Sequence, residues 1–547
     1  MTGLRPPETV MRLERLGASH QTRLSFMRVL LRKLRREGWR FDRPVWKVDG
    51  QGVGHAVYRA TGPRRTYSLV AFAHDLPDEM RSDRVIAERW DATFTLFDGM
   101  PEASDIARLA DQVPLQEAGR VSDRELVLSR ANRSVRLWDH VLECLSRGEQ
   151  PDAARVEEVG YLMRTTAVYG SGKFGAADHA ALRDREVMSG PFRAEMLTVW
   201  LIRAFVLDLI EHMARTRGGS RAAVLDPAIR RRFGIGNSTG LGMAPFLVNH
   251  PALLNAWINA RETAFARVRA LPSATEEEKN IFHDMLARAR AQAKTGTVGA
   301  DLDRLAAHAA IGWARTRPWN ELARWGADNL SMEGQELLMS LMLEPYGDLV
   351  DDLADAMSTD EEASFAIDGS WPLDRLRRTL RDTHGWAMRT DFADPTETAR
   401  FWYVSAAKAE PRLGDRYDEP GAELESPLDV ARAAITLARD LESDEAKDVA
   451  DFLADHPEHR RIVRRVQLAL AAPYAEIRDN LLSAHIRPID MFRSKLAFFG
   501  ATRFDPRSDR WIQITMYQNA PFPHELADMP EDDWIYPALD RLPETVT

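Results

Sequence analysis

The run from Met196 to Ile210 is the longest apolar stretch of the chain, interrupted at Arg203 and Asp208. It falls short of the roughly 20 residues that a bilayer span needs, and it sits inside a helical pattern over Arg193–Arg215. No membrane-crossing segment is expected. The N-terminus carries no apolar core behind a basic segment, so no secretory signal is expected either. Cys144, the sole cysteine, has no partner for a disulfide or a thiolate zinc knuckle. Its helical surroundings, Val141-Leu142-Glu143-Cys144-Leu145, read as those of a small buried hydrophobe. Together these features point to a soluble, cytoplasmic protein.

With 547 residues the chain exceeds any single small module. A net charge of −10 argues against a protein whose main task is to grip nucleic acid phosphates. Four regions are expected: 1–120, 121–300, 301–487 and 488–547. The fold class expected is α+β and predominantly α-helical, with a small antiparallel sheet near the N-terminus.

That sheet is read from Val45–Val48, Val53–Ala60, Thr66–Ala73 and Thr93–Phe97. These runs are β-branched or aromatic, and Asp49-Gly50-Gln51-Gly52 and Thr61-Gly62-Pro63-Arg64-Arg65 punctuate the first three as hairpin turns. Before them, Leu24, Met27, Leu31 and Leu34 recur at helical spacing among Arg23, Arg28, Arg32, Lys33, Arg35 and Arg36. This basic opening helix is expected to be solvated or to meet acidic surface elsewhere. Near the end, Lys495–Phe499 and Trp511–Tyr517 flank a turn at 505–510, a hairpin that is a candidate to join the N-terminal sheet.

Between Val121 and Arg487 helical patterns dominate, including Ala153–Val168, Arg193–Arg215, Pro245–Leu271, Thr275–Gln292, Asp301–Ala314 and Leu428–Leu441. Residues 341–370 hold nine acids and no Lys or Arg. Asp351 and Asp355 share a helix face there; the five residues from Asp351 resemble the aspartate-rich motif of class I terpene synthases, without a second metal motif. A solvated acidic face accounts for them better. His456-Pro457-Glu458-His459 reads as a helix entrance rather than a metal motif, and no metal is assigned.

Two glycine-punctuated stretches carry the chemical expectation. Tyr169-Gly170-Ser171-Gly172-Lys173-Phe174-Gly175 matches the dinucleotide fingerprint in its glycines, but a helix is expected before it where that motif needs a strand, and the acid at about the right distance, Glu195, begins another expected helix. As a phosphate-binding Walker loop it fails, because Ala167 stands at the first glycine and Phe174 at the Ser/Thr. The local physics still suits an anion: glycines let backbone amides approach, Ser171 can donate, and Lys173 adds charge. Only eight of the 73 basic residues are Lys, and Lys, unlike Arg, can lose its proton. A glycine-ended helix with Lys173 in solvent is the bland alternative.

The second stretch, Gly234-Ile235-Gly236-Asn237-Ser238-Thr239-Gly240-Leu241-Gly242, runs into Pro245 and reads as an anion-receiving loop at a helix start. An elaborate capping loop is its alternative. Arg164, Asp178 and His179 lie nearby in sequence as an anion clamp and proton-transfer groups, and Arg412, in a charged, turn-rich stretch, is a further anion contact.

The expected function is a metabolic enzyme holding a small anionic substrate or cofactor between these stretches. Gly170, Ser171, Gly172, Gly236, Asn237, Ser238, Thr239 and Arg412 are its expected binding residues, and Lys173, His179 and Asp178 its expected catalytic ones. Neither reaction nor cofactor is assigned, and no nucleic-acid partner is expected. The competing reading is an interaction protein that assembles through the basic opening helix and the acidic middle segment.

Overall fold

The structure, a computed structural model, describes residues 26–76, 90–112, 122, 124–170, 185, 188, 193–238, 260, 263–292, 296–356, 367–385, 387–389, 391, 393, 427–460, 462–463, 466–467 and 513–530. Strands β1 (Arg40–Val48), β2 (Gly54–Thr61), β3 (Thr66–Ala73), β4 (Ala92–Asp98), β5 (Glu125–Arg133), β6 (Tyr161–Gly170), β7 (Gly234–Ser238) and β8 (Gln513–Met516) form one sheet in chain order. Every neighbouring pair is antiparallel except β6 and β7, which run parallel.

The expectation of a small antiparallel sheet is therefore corrected: the sheet has eight strands and is mixed. Its first four strands fall on the four expected runs, the first beginning earlier, at Arg40, and the two turn stretches separate the first three. The remaining strands come from the supposedly helical region and from the far end of the chain. The strand at Gln513–Met516 pairs with β7; the 495–499 half of the expected hairpin lies outside the described residues.

The helix expected over Ala153–Val168 stops early, and its cause is local. Gly160 takes φ 73°, a left-handed conformation that ends the short helix at Val159. The chain then extends as β6. Val156, Val159, Met163 and Ala167 thus mimic one helical stripe while belonging to two different elements.

The helices before the middle of the chain are α1 (Phe26–Arg36), α2 (Ala103–Gln112), α3 (Trp138–Arg147), α4 (Ala153–Val159), α5 (Arg193–Gly218) and α6 (Pro227–Arg232). α5 is the apolar stretch singled out by sequence. It packs across β2 to β7 and also meets α1 and α3, so most of its circumference is covered. That coverage explains why the stretch needs no amphipathic face. On the opposite face, Ile106 and Leu109 of α2 pack with Val70, Phe72, Phe97 and Leu128.

The two polar interruptions of α5 are both satisfied. Arg203 donates to the carbonyls of Phe233 (2.6 Å), Ala520 (2.8 Å) and Arg231 (3.1 Å). Asp208 accepts from the Tyr58 hydroxyl (2.6 Å), Arg43 (2.7 Å) and Arg230 (2.9 Å).

Further along come α7 (Glu276–Gln292), α8 (Gly296–His308), α9 (Trp319–Asn329), α10 (Met332–Leu343), α11 (Gly347–Asp355), α12 (Leu373–His384), α13 (Pro427–Ser443) and α14 (Val449–Asp455). Phe282, Trp313 and Trp319 cluster with ring centroids 4.9–5.5 Å apart, core positions for these tryptophans. The acidic segment meets the basic opening helix. Arg28 pairs with Glu344 just past α10, both fully buried, while Arg32 and Arg36 share Asp351. Asp351 is 7% exposed and lies against these arginines, so the expectation of a solvated acidic face is corrected at this position. Among the described residues, no helix is long and apolar enough to cross a membrane.

Candidate functional site

Strand directions define one edge of the sheet. Arg40 of β1 lies opposite Thr61, Tyr67 opposite Asp98, Phe97 opposite Glu125 and Val127 opposite Gly170, so all of these share an edge. Because β7 is parallel to β6, Ser238 points toward the same edge, though β6 runs further out. The beginning of α5 is there as well. Trp200 packs edge-on against Phe41, at the start of β1, whereas His212 near the other end meets the Asp49 carbonyl in the β1–β2 turn.

The unit β6–α5–β7 thus has two parallel strands whose carboxyl ends converge with the positive end of a long helix. The strand that the dinucleotide fingerprint requires before Gly170 is present, although its other neighbour, β5, runs antiparallel. Arg185, from the connection between β6 and α5, is tied to this edge. Its Nε donates to Asp98 (2.8 Å), and its carbonyl accepts from the Tyr67 hydroxyl (2.9 Å).

The second stretch is not a loop over its first half. Gly234–Ser238 is β7, and pairing with β6 on one side and β8 on the other occupies its backbone. A Cβ at Gly234 would stand 2.2 Å from the Met516 carbonyl oxygen, and one at Gly236 would stand 2.7 Å from the Tyr161 ring. These glycines permit close strand packing rather than amide presentation to a ligand. Gly236, Asn237 and Ser238 are accordingly strand residues, and Gly170 ends β6. Ser171, Gly172, Lys173, Asp178, His179, Thr239 and Arg412 lie outside the described residues.

One acid at this edge acquires significance from its surroundings. Glu195, in the first turn of α5, is 6% exposed, and its Oε2 has no hydrogen-bond partner among the described residues. Burial pushes its carboxyl up to about 7, against a smaller lowering by the Glu195 backbone. A carboxyl that titrates near neutrality can both give and take a proton. Its position relative to the glycines was legible in sequence; its burial was not.

A second polar group lies toward the opposite end of the same strands. Arg164 of β6 is buried and aligned with Asn132 on one side and Gly236 on the other. Asn132 Oδ1 accepts from the Asp91 backbone, its Nδ2 meets no acceptor among the described residues, and the Arg130 guanidinium lies 4.2 Å over Trp90. His74 Nε2 and Thr93 Oγ1 are 2.9 Å apart, and burial lowers the His74 pKa. Of this group sequence reasoning named Arg164 alone, because the others come from strands whose register sequence does not reveal.

Cys144 is buried in α3, and burial raises its thiol pKa, as befits a packing residue. Comparison of the chain with protein-family models, curated proteins and solved structures gave no match.

Proposed function

We propose that the protein is an enzyme that holds a small anionic substrate or cofactor at the sheet edge where β6 and β7 end. Ser171, Gly172, Lys173, Asn237, Ser238, Thr239 and Arg412 contribute to binding in this reading. Lys173 neutralises charge or acts as a base, and His179 or Asp178 transfers a proton. Glu195 adds a proton-transfer group from α5, and the reaction class stays unassigned. A cytoplasmic location accompanies this reading.

The observation that carries it is the parallel pairing of β6 with β7 around α5. Ligands of open sheets gather beyond the carboxyl ends of such strands, where helix N-termini favour negative charge. The assembly-protein reading has less behind it, since Arg28, Arg32 and Arg36 face Glu344 and Asp351 of the same chain.

Thermal denaturation with nucleotides, sugar phosphates and dicarboxylates tests the proposal. At least one class is expected to raise the melting temperature of the native protein. Lys173→Ala and Asn237→Ala should reduce that shift while melting normally without ligand. Undiminished ligand shifts in both variants would remove the proposal.

A further inference from the structure

Outside the sheet, the last turn of α13, the end of α14 and the turn after it bring Asp440, His456, Glu458 and His459 together. One potential ligand atom from each lies within 4.8 Å of all the others. Pro457 opens a single tight turn over Pro457–His459, and three-residue spacing places side chains on the same side of such a turn. Phe452 anchors both imidazoles: its ring stacks on His456 at 4.9 Å and on His459 at 5.7 Å.

The polar contacts in this cluster are few and specific. His459 Nε2 lies 2.7 Å from Asp440 Oδ2, and His456 Nδ1 lies 3.4 Å from Glu458 Oε1. The other nitrogen of His456 faces Asp444 Oδ2 at 3.3 Å. Asp444 is itself held by the Ala446 N–H at 2.7 Å. Among the described residues, no Lys or Arg forms an ion pair with Asp440, Asp444 or Glu458. The result is three carboxylates around two imidazoles without a fixed cation.

We propose that Asp440, His456, Glu458 and His459 bind one divalent transition-metal ion, with Zn2+ the best chemical match. Two imidazole nitrogens and two carboxylate oxygens suit a borderline ion, whereas Mg2+ and Ca2+ take oxygen ligands. Tetrahedral bonds of about 2.0–2.2 Å put ligand atoms roughly 3.3–3.6 Å apart, so small side-chain rotations convert the observed contacts into a coordination shell. Asp444 would accept from His456 Nε2–H and leave Nδ1 for the metal, the arrangement that orients ligand imidazoles in metal sites. Four protein donors complete a tetrahedron. The ion therefore ties the end of α13 to the turn after α14 and leaves no position for a substrate.

The test uses the full chain, stripped with a chelator and titrated with Co2+ and then Zn2+. Visible absorption of tetrahedral Co2+, its displacement by one equivalent of Zn2+, and elemental analysis are the readouts. The native chain should bind one ion, with Mg2+ and Ca2+ failing to compete. His456→Gln and Glu458→Gln, partly or fully exposed positions, should keep the native circular dichroism and lose the tetrahedral Co2+ signal. Asp444→Asn should retain the stoichiometry with affinity about tenfold weaker. Absence of saturable one-to-one binding by the native chain would overturn the proposal, as would unchanged binding in both glutamine variants. In either case His456 serves as a hydrogen-bonded link between Asp444 and Glu458.

Discussion

Glu195 shows how far one side chain can be governed by its surroundings. Its folded pKa of about 7 lies above the ordinary 4.5. The folded chain therefore holds this proton more tightly than the unfolded chain. The stabilisation is present at low pH and is lost as pH rises from about 4.5 through 7. The shift corresponds to roughly 3 kcal/mol. Glu195→Gln, neutral at every pH, should match the native protein near pH 4 in urea denaturation. It should exceed native stability by up to about 3 kcal/mol near pH 8; equal stability at both values would contradict the buried, unpartnered carboxyl. At this scale the sequence reveals residue type and spacing but not desolvation. Glu195 can therefore be noticed as an acid beyond a glycine motif, yet not recognised as one that titrates near neutrality.

Among the secondary elements, legibility depended on whether local pattern and final partner agreed. The first four strands are rich in β-branched or aromatic residues, with turn signals between the first three, and α5 is long and apolar enough to be unmistakable. β6 instead shares a helical stripe with α4, and Gly160 is the one local mark of the break. β7 has two glycines in five residues, weak strand formers that are held by their neighbours and by close packing. The basic helix α1 was legible, and so was an acidic surface as one possible counterpart, but their pairing across some 316 positions was not. That pairing also makes a prediction. Arg28→Met removes the guanidinium that faces the buried Glu344 carboxylate and should cost about 3–5 kcal/mol of stability. Adding Glu344→Leu should recover most of the loss in chemical denaturation, because an apolar pair then replaces the buried ion pair. No recovery would mean that the two side chains do not act as a pair.

For the molecule as a whole, Arg203 connects distant parts of the chain. It lies in α5 and binds carbonyls at the end of α6 and in the segment after β8, with its guanidinium 4.0 Å over Phe522. Burial lowers its pKa to about 9, which still leaves it charged at neutral pH. Arg203→Met should destabilise the chain by several kcal/mol, since buried acceptors are left without donors. Hydrogen exchange should accelerate first at residues 513–530; uniform acceleration across the sheet would argue against a local clamp. Sequence singled out Arg203 as an interruption of an apolar run, while its acceptors are backbone groups that no side-chain pattern reveals. The sheet was legible in part for a related reason: composition says nothing about which strand lies next to which.

Pairing β8 with β7 also imposes an order on biosynthesis. The chain between Ser238 and Gln513 takes tens of seconds to emerge at about 5–20 residues per second. Throughout that interval the ribosome carries a nascent sheet whose last ladder waits for a strand not yet translated. Slow translation through the intervening segment prolongs the period in which the β7 edge of the growing polypeptide can pair with another chain.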